Sequence, residues 1–199
     1  MATTYTMMDG ELRLYDGSAT PYYVKILFSG GDLSAPEGRG RPEEKPVMDR
    51  GRIDSNYHYV MGTDEPIVEA QEISYTFRLQ ADTTIHDKIL AAHSNPRLAA
   101  TWTVGSDTWV TTKGDFTLVS GDGSNVTDAA LADSKKYCVN VEILWTVGGV
   151  SIGRKYGAVW FDPTQLSLSE SEDSIEISAT GMIYGTISTI TSFTSGSES

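Results

Sequence analysis

The stretch YCVNVEILWTVGGVSIGRKYGAVWF, Tyr137 to Phe161, sets two apolar-rich runs on either side of Gly148-Gly149. A two-residue Gly-Gly connection supplies the positive φ angles that a tight primed turn requires, so the stretch reads as one long β-hairpin. Each strand, at about ten residues, reaches about 30 Å, more than a compact small sandwich needs.

Outward from the hairpin, the same two-residue period dominates. Glu11-Leu12-Arg13-Leu14-Tyr15 and Ile73-Ser74-Tyr75-Thr76-Phe77-Arg78-Leu79 alternate apolar with polar, placing every second side chain on one side of a sheet. Further strands are expected at 22–28, 102–104, 108–112, 116–119, 174–180 and 182–190. Only one segment carries a helical pattern. Asp82-Thr83-Thr84 offers N-cap groups, Ile85, Ile89, Leu90 and Ala92 recur at helical spacing, and Asn95-Pro96 ends the run. The expected fold class is mostly β, sandwich- or barrel-like, with one short helix at about 83–94.

Residues 29–62 break this regularity. Glycines and prolines recur from Gly30 to Gly51, and Arg39, Arg41, Glu43, Glu44, Asp49, Arg50, Arg52 and Asp54 mix both signs of charge. The segment reads as a long inter-strand loop, an arm of the kind that orders on a partner. Val47, Met48, Ile53, Tyr57, Tyr59 and Val60 give it apolar surface to dock. The Ser-, Gly- and Glu-rich 192–199 reads as a disordered tail, so one domain is expected over 1–191. Ser120 to Asn125 is a turn cluster.

Composition narrows the function classes. At 199 residues the chain can bury roughly 70% of its unfolded surface. No apolar run is long enough to span a bilayer as a helix. Met1 to Tyr5 lacks a secretory or transit pattern, so synthesis in the cytosol is expected. Fifteen Lys and Arg against 27 Asp and Glu leave a net charge of −12, which repels phosphates and disfavours nucleic-acid binding. The single cysteine, Cys138, lies in an apolar run and reads as a buried thiol.

The chain holds no phosphate cradle, nucleophile elbow, His-Glu-x-x-His or Cys-x-x-Cys pattern. His58 falls in the arm. His86 and His93 fall on the helix without a carboxylate or cysteine to complete a metal shell, and read as surface or packing residues. Asp122 to Asp128 looks like a calcium loop, but Val126 stands where a ligand is needed and the bidentate Glu is missing. Glu43/Glu44 and Glu170/Glu172 could in principle do general acid-base work; solvated loops and strand edges explain them as well. No catalytic residue, metal or cofactor is expected.

The order of elements, with Ala158-Val159-Trp160-Phe161-Asp162-Pro163-Thr164-Gln165-Leu166-Ser167-Leu168-Ser169-Glu170, then Ile175 to Gly181 and the Tyr184-Gly185 pair, resembles the major tail tube proteins of long-tailed bacteriophages. The resemblance covers about Tyr5 to Ile190. It implies a virion protein, made in the host cytoplasm, that forms homohexameric rings by sheet pairing. The rings would stack into a tube conducting viral DNA without specific binding. The partners implied are the chain itself and the tail terminator, distal tail and tape measure proteins, with no membrane.

On that basis Arg39, Arg41, Met48, Asp49, Arg50, Arg52, Ile53 and Tyr57 are the expected inter-ring contacts. Val139, Val141, Ile143, Trp145, Ile152 and Tyr156 mark the inner-barrel hairpin. Lys135-Lys136 and Arg154-Lys155 depart from this scheme by putting positive charge on that hairpin. The main alternative is a monomeric carbohydrate- or receptor-binding sandwich with Trp102, Trp109, Tyr22 and Tyr23 as an aromatic platform. A contractile or secretion-system tube and a small acidic hydrolase are the other readings.

Overall fold

The structure is a computed structural model and describes residues 10–26, 28–37, 44–49, 52–59, 71–78, 83–94, 101–112, 118–119, 125–126, 138–170, 175–183 and 185–199. Its first half contains β1 (Gly10–Tyr15), β2 (Tyr22–Ile26), β3 (Phe28–Ser34), β4 (Glu44–Asp49), β5 (Arg52–Tyr59), β6 (Gln71–Arg78) and helix α1 (Thr83–His93). Then come β7 (Thr101–Val104), β8 (Asp107–Val110), β9 (Leu118–Val119), β10 (Asn125–Val126), β11 (Val139–Val147) and β12 (Val150–Phe161). A 3-10 turn (Pro163–Gln165), β13 (Ser167–Glu170), β14 (Ile175–Ile183), β15 (Ile187–Ile190) and β16 (Ser197–Glu198) complete the chain. The fold is mostly β with one short helix, as the alternation and the single 3.6-residue pattern require. Among the described residues no helix is long and apolar enough to cross a membrane.

Ten strands make one sheet in the order β16-β2-β1-β11-β12-β14-β6-β3, with β13 added to β14 and β15 added to β12. The β11–β12 hairpin is its centre. Val147 pairs with Val150 across the turn, and Gly148 and Gly149 take φ of 59° and 81°, the conformation a primed two-residue turn demands. One face of the sheet wraps a single core. Leu12, Leu14, Val24 and Ile26 from one end meet Tyr75 and Phe77 from the other, with Ile89 and Ala92 of α1 and Trp102 and Trp109 between them.

The sheet changes partners where β12 bulges. The register of β11 against β12 slips between Val139 and Val141, and Ala158 sits at φ 47°. The buried Asn140 side chain accepts a hydrogen bond from the Ala158 amide at 3.1 Å, replacing the ladder bond that the bulge removes. Before the bulge β12 pairs with β15; after it, with β14. Gly157 donates to the Thr186 carbonyl and accepts from Gly185, closing the gap between those partners.

Two sequence expectations are corrected. The 29–62 segment is not one long loop: β3 pairs with β6, and β4 pairs antiparallel with β5 as a separate two-stranded sheet. Pro46 hid β4, because proline breaks a strand pattern; it sits beside the register shift between Pro46 and Met48, where a missing ladder donor is tolerated. The tail 192–199 is not disordered either. Ser197 and Glu198 form β16, parallel to Tyr22 and Tyr23, with Ser197 donating to the Pro21 carbonyl and Ser199 to that of Tyr23. Its order comes from polar contacts, which a composition rule based on apolar burial does not register.

Candidate functional site

Along β1, β2, β11 and β12, alternate residues point away from the core and build a second, polar face. On it lie Glu11, Arg13 and Tyr15 of β1, Tyr23 and Lys25 of β2, Asn140 and Glu142 of β11, and Lys155 of β12, in register across the strands. Glu11 bridges Arg13 at 2.6 Å and Lys25 at 2.8 Å. Burial alone would raise the Glu11 carboxyl, but the hydrogen bonds from Lys25 and Arg13 outweigh it and hold the group below its ordinary value.

The C-terminal segment runs across this face as a strap. It leaves β15 beside β12, passes over β11 and β1, and ends on the outer edge of β2. Each polar group of Thr194 has a partner on the sheet. Its amide donates to Glu142 Oε2 at 2.8 Å, its hydroxyl to Glu142 Oε1 at 2.5 Å, and its carbonyl accepts from the Tyr15 hydroxyl at 2.9 Å. Arg13 is sandwiched between the Tyr23 ring at 4.3 Å and the Phe193 ring at 4.1 Å. Trp109 Nε1 donates to the Ser199 hydroxyl at 2.9 Å. Gly196 permits the close approach, because a Cβ there would sit 2.3 Å from the Pro21 carbonyl oxygen.

Under the strap Glu142 is completely buried and faces Lys155 Nζ at 3.3 Å. Burial pushes the Tyr15 hydroxyl up to about 12, against the opposing pull of Arg13, so it remains a donor to Thr194 throughout the physiological range. A polar cavity of about 280 Å³ opens beside them, walled by Asp16, Thr112, Asn140, Glu142, Lys155 and Thr194. Asp16 shapes its rim: its carboxylate accepts from Ser18 Oγ and from the amides of Tyr22 and Val110. Glu142→Ala is expected to cost about 2 kcal/mol, since two bonds to a carboxylate are lost while water can enter the cavity and Lys155 can reach solvent. Urea unfolding measures the cost, and faster hydrogen exchange at Thr194 than at β11 amides would locate it in the strap.

Most of the residues named for the inner-barrel hairpin belong to the core of the single chain. Val139, Val141, Ile143 and Tyr156 are buried in it and Trp145 packs against it, whereas Ile152, 43% exposed, lies near the hairpin tip opposite Trp145. The cations on that hairpin have partners within the chain: Arg154 binds Glu37 at 2.5 Å and Thr189 at 3.1 Å, and Lys155 binds Glu142. Lys135 and Lys136 lie outside the described residues. Of the inter-ring residues, Met48 and Asp49 sit on β4 and Arg52, Ile53 and Tyr57 on β5, with Met48 opposite Ile53 and Asp49 opposite Arg52. Arg39, Arg41 and Arg50 lie outside the described residues, as do Glu43, Glu172 and most of the 122–128 loop.

The aromatic platform of the binding-module alternative does not form. Trp102 and Trp109 are buried against each other with ring centroids 5.9 Å apart, and Trp102 Nε1 donates to the Ala91 carbonyl. Cys138 is buried, and His93 is a packing residue inside an aromatic box of Tyr75, Phe77 and Phe161. Sequence reading missed the strap. Phe193 and Gly196 within the polar tail were the available signals, an apolar anchor and a close-approach residue.

No protein-family model matches the chain, and no curated protein does. Among solved structures, a chain of the cryo-EM structure of the anti-feeding prophage baseplate, six-fold symmetrised, is similar over 96% of this chain and 97% of that one, at 9% identity and a TM-score of 0.42. A likeness of that size carries no functional weight, and the role assigned to the chain rests on its own residues.

Proposed function

We propose that the chain is a non-catalytic structural protein of a long-tailed bacteriophage. In this reading copies join by sheet pairing into hexameric rings, and the rings stack into the tail tube through which viral DNA leaves. The observation that carries it is the open sheet: among the described residues it ends at β3 on one side and at the two-residue β16 on the other. Such edges are aggregation hazards in a monomer and become interfaces in a closed ring.

Two further features support the reading. The β4–β5 hairpin pairs with itself alone among the described residues and carries mixed charge and apolar residues, the composition of a contact between rings. A net charge of −12 per copy lets a strand of DNA pass without adhering. In this role the chain is a virion component, meeting terminator, distal tail and tape measure proteins at the tube ends.

Negative-stain electron microscopy at high protein concentration, with sedimentation alongside, is expected to show rings or hollow tubes with six-fold end views. A species that stays monomeric at every concentration removes the proposal. Replacing Arg50 and Arg52 together with Glu is expected to leave rings intact and to shorten or abolish tubes. Tubes of normal length from that variant would take the hairpin out of the stacking interface.

A further inference from the structure

Resting on the ring-forming role proposed above, we infer that the groove across β11, β1 and the edge of β2 is a strand-acceptor site, and that in the ring it takes the Phe193–Ser199 segment of a neighbouring copy. The groove is built for this segment. Thr194 has all three of its polar groups matched, Arg13 carries the Phe193 ring, Trp109 receives Ser199, and only glycine fits at 196. A generic edge strand offers none of these matches, so the best occupant after the chain's own tail is the same tail from another copy.

The way the strap is attached favours exchange. Thr191 and Ser192, which join it to β15, are exposed, and the strap is held by hydrogen bonds and one ring contact with little apolar burial of its own. A tail entering from a second copy makes the same contacts with the groove, so the exchange keeps those bonds and is governed by the local concentration of neighbouring tails against the effective concentration of the chain's own tail across the Thr191–Ser192 hinge. Ring closure raises that concentration. The pairing onto Tyr22 and Tyr23 then becomes a sheet joined between copies, the mode of strand addition that main-chain hydrogen bonding supports.

Engineered cysteines at the paired positions Tyr22 and Ser197 test this in a Cys138→Ala background. The double variant Tyr22→Cys/Ser197→Cys, oxidised when dilute, is expected to form a bond within one chain, which verifies the seat of the strap. Two single variants, Tyr22→Cys and Ser197→Cys, are then mixed, concentrated until rings form, and oxidised. The inference expects a two-chain disulfide species to rise at least tenfold over the dilute mixture. Rings without that species, together with an intact bond in the double variant, overturn the exchange and leave ring formation standing. No bond in the double variant overturns the acceptor site. Absence of rings from the unaltered chain removes the ring-forming role instead, while a mixed disulfide in a dimer that never closes a ring keeps the exchange.

Discussion

Trp109→Ala is expected to destabilise the chain by about 3–5 kcal/mol, the largest effect of any single replacement considered. Trp109 is fully buried where β8 meets the core, its ring tilted against that of Trp102 with centroids 5.9 Å apart, and its indole N–H holds Ser199 at the end of the strap. Alanine leaves a cavity in the middle of the packing that seats β7 and β8, which among the described residues pair as strands only with each other and whose other ties, Val110 to Asp16 and Gly17 and Trp102 to Ala91, are polar and do not fill the space. With domains of this size stable by about 5–15 kcal/mol, much of the population unfolds at moderate temperature. Trp109→Phe separates the two roles: it keeps most of the apolar volume, loses the hydrogen bond, and is expected to cost about 1–2 kcal/mol. Urea midpoints for the pair decide the matter. A loss under 1 kcal/mol for the alanine variant would mean that the tryptophans are not core.

Acidification from pH 7 to 4 is expected to remove about 3 kcal/mol through His93 alone. Burial in the aromatic box lowers its pKa from 6.5 to about 4, partly offset by the bond to the Ile89 carbonyl. That carbonyl can only accept, so Nδ1 carries the proton, and Nε2 accepts from the Tyr75 hydroxyl at 2.5 Å. Burial holds the Tyr75 hydroxyl far above its ordinary range, so it remains the donor. The folded pKa lies below the unfolded one. Above pH 6.5 the histidine is neutral in both states and stability is full. Between pH 6.5 and about 4 the unfolded chain binds a proton that the folded chain refuses, and stability falls; below about 4 this contribution levels off. Urea unfolding at intervals across that window, beside His93→Gln, measures it. Equal slopes for the two proteins would place the acid sensitivity in the carboxylates instead.

The sequence by itself determined the local elements. Gly148-Gly149 between apolar runs, the alternation in β1 and β6, and the single 3.6-residue pattern at 83–93 each act over a few neighbours, and those patterns describe the elements that form. Cys138 as a buried thiol followed from its apolar context in the same way, whereas the sequence left His93 open between a surface and a packing residue, and the fold placed it among Tyr75, Phe77 and Phe161. What only the tertiary structure decided lies between elements distant in the chain. Glu142 and Thr194 are 52 residues apart and Tyr15 and Thr194 are 179 apart. A tail of serines and glycines has too little apolar content to order itself, and becomes ordered only because folding brings β1, β2 and β11 together as a polar seat. The β4–β5 hairpin was hidden for the converse reason: Pro46 and mixed charges erased its two-residue period, and pairing with the opposite strand supplied what the local pattern lacked. Period and turn chemistry are local and can be read along the chain, whereas the partner of a polar group is set by topology.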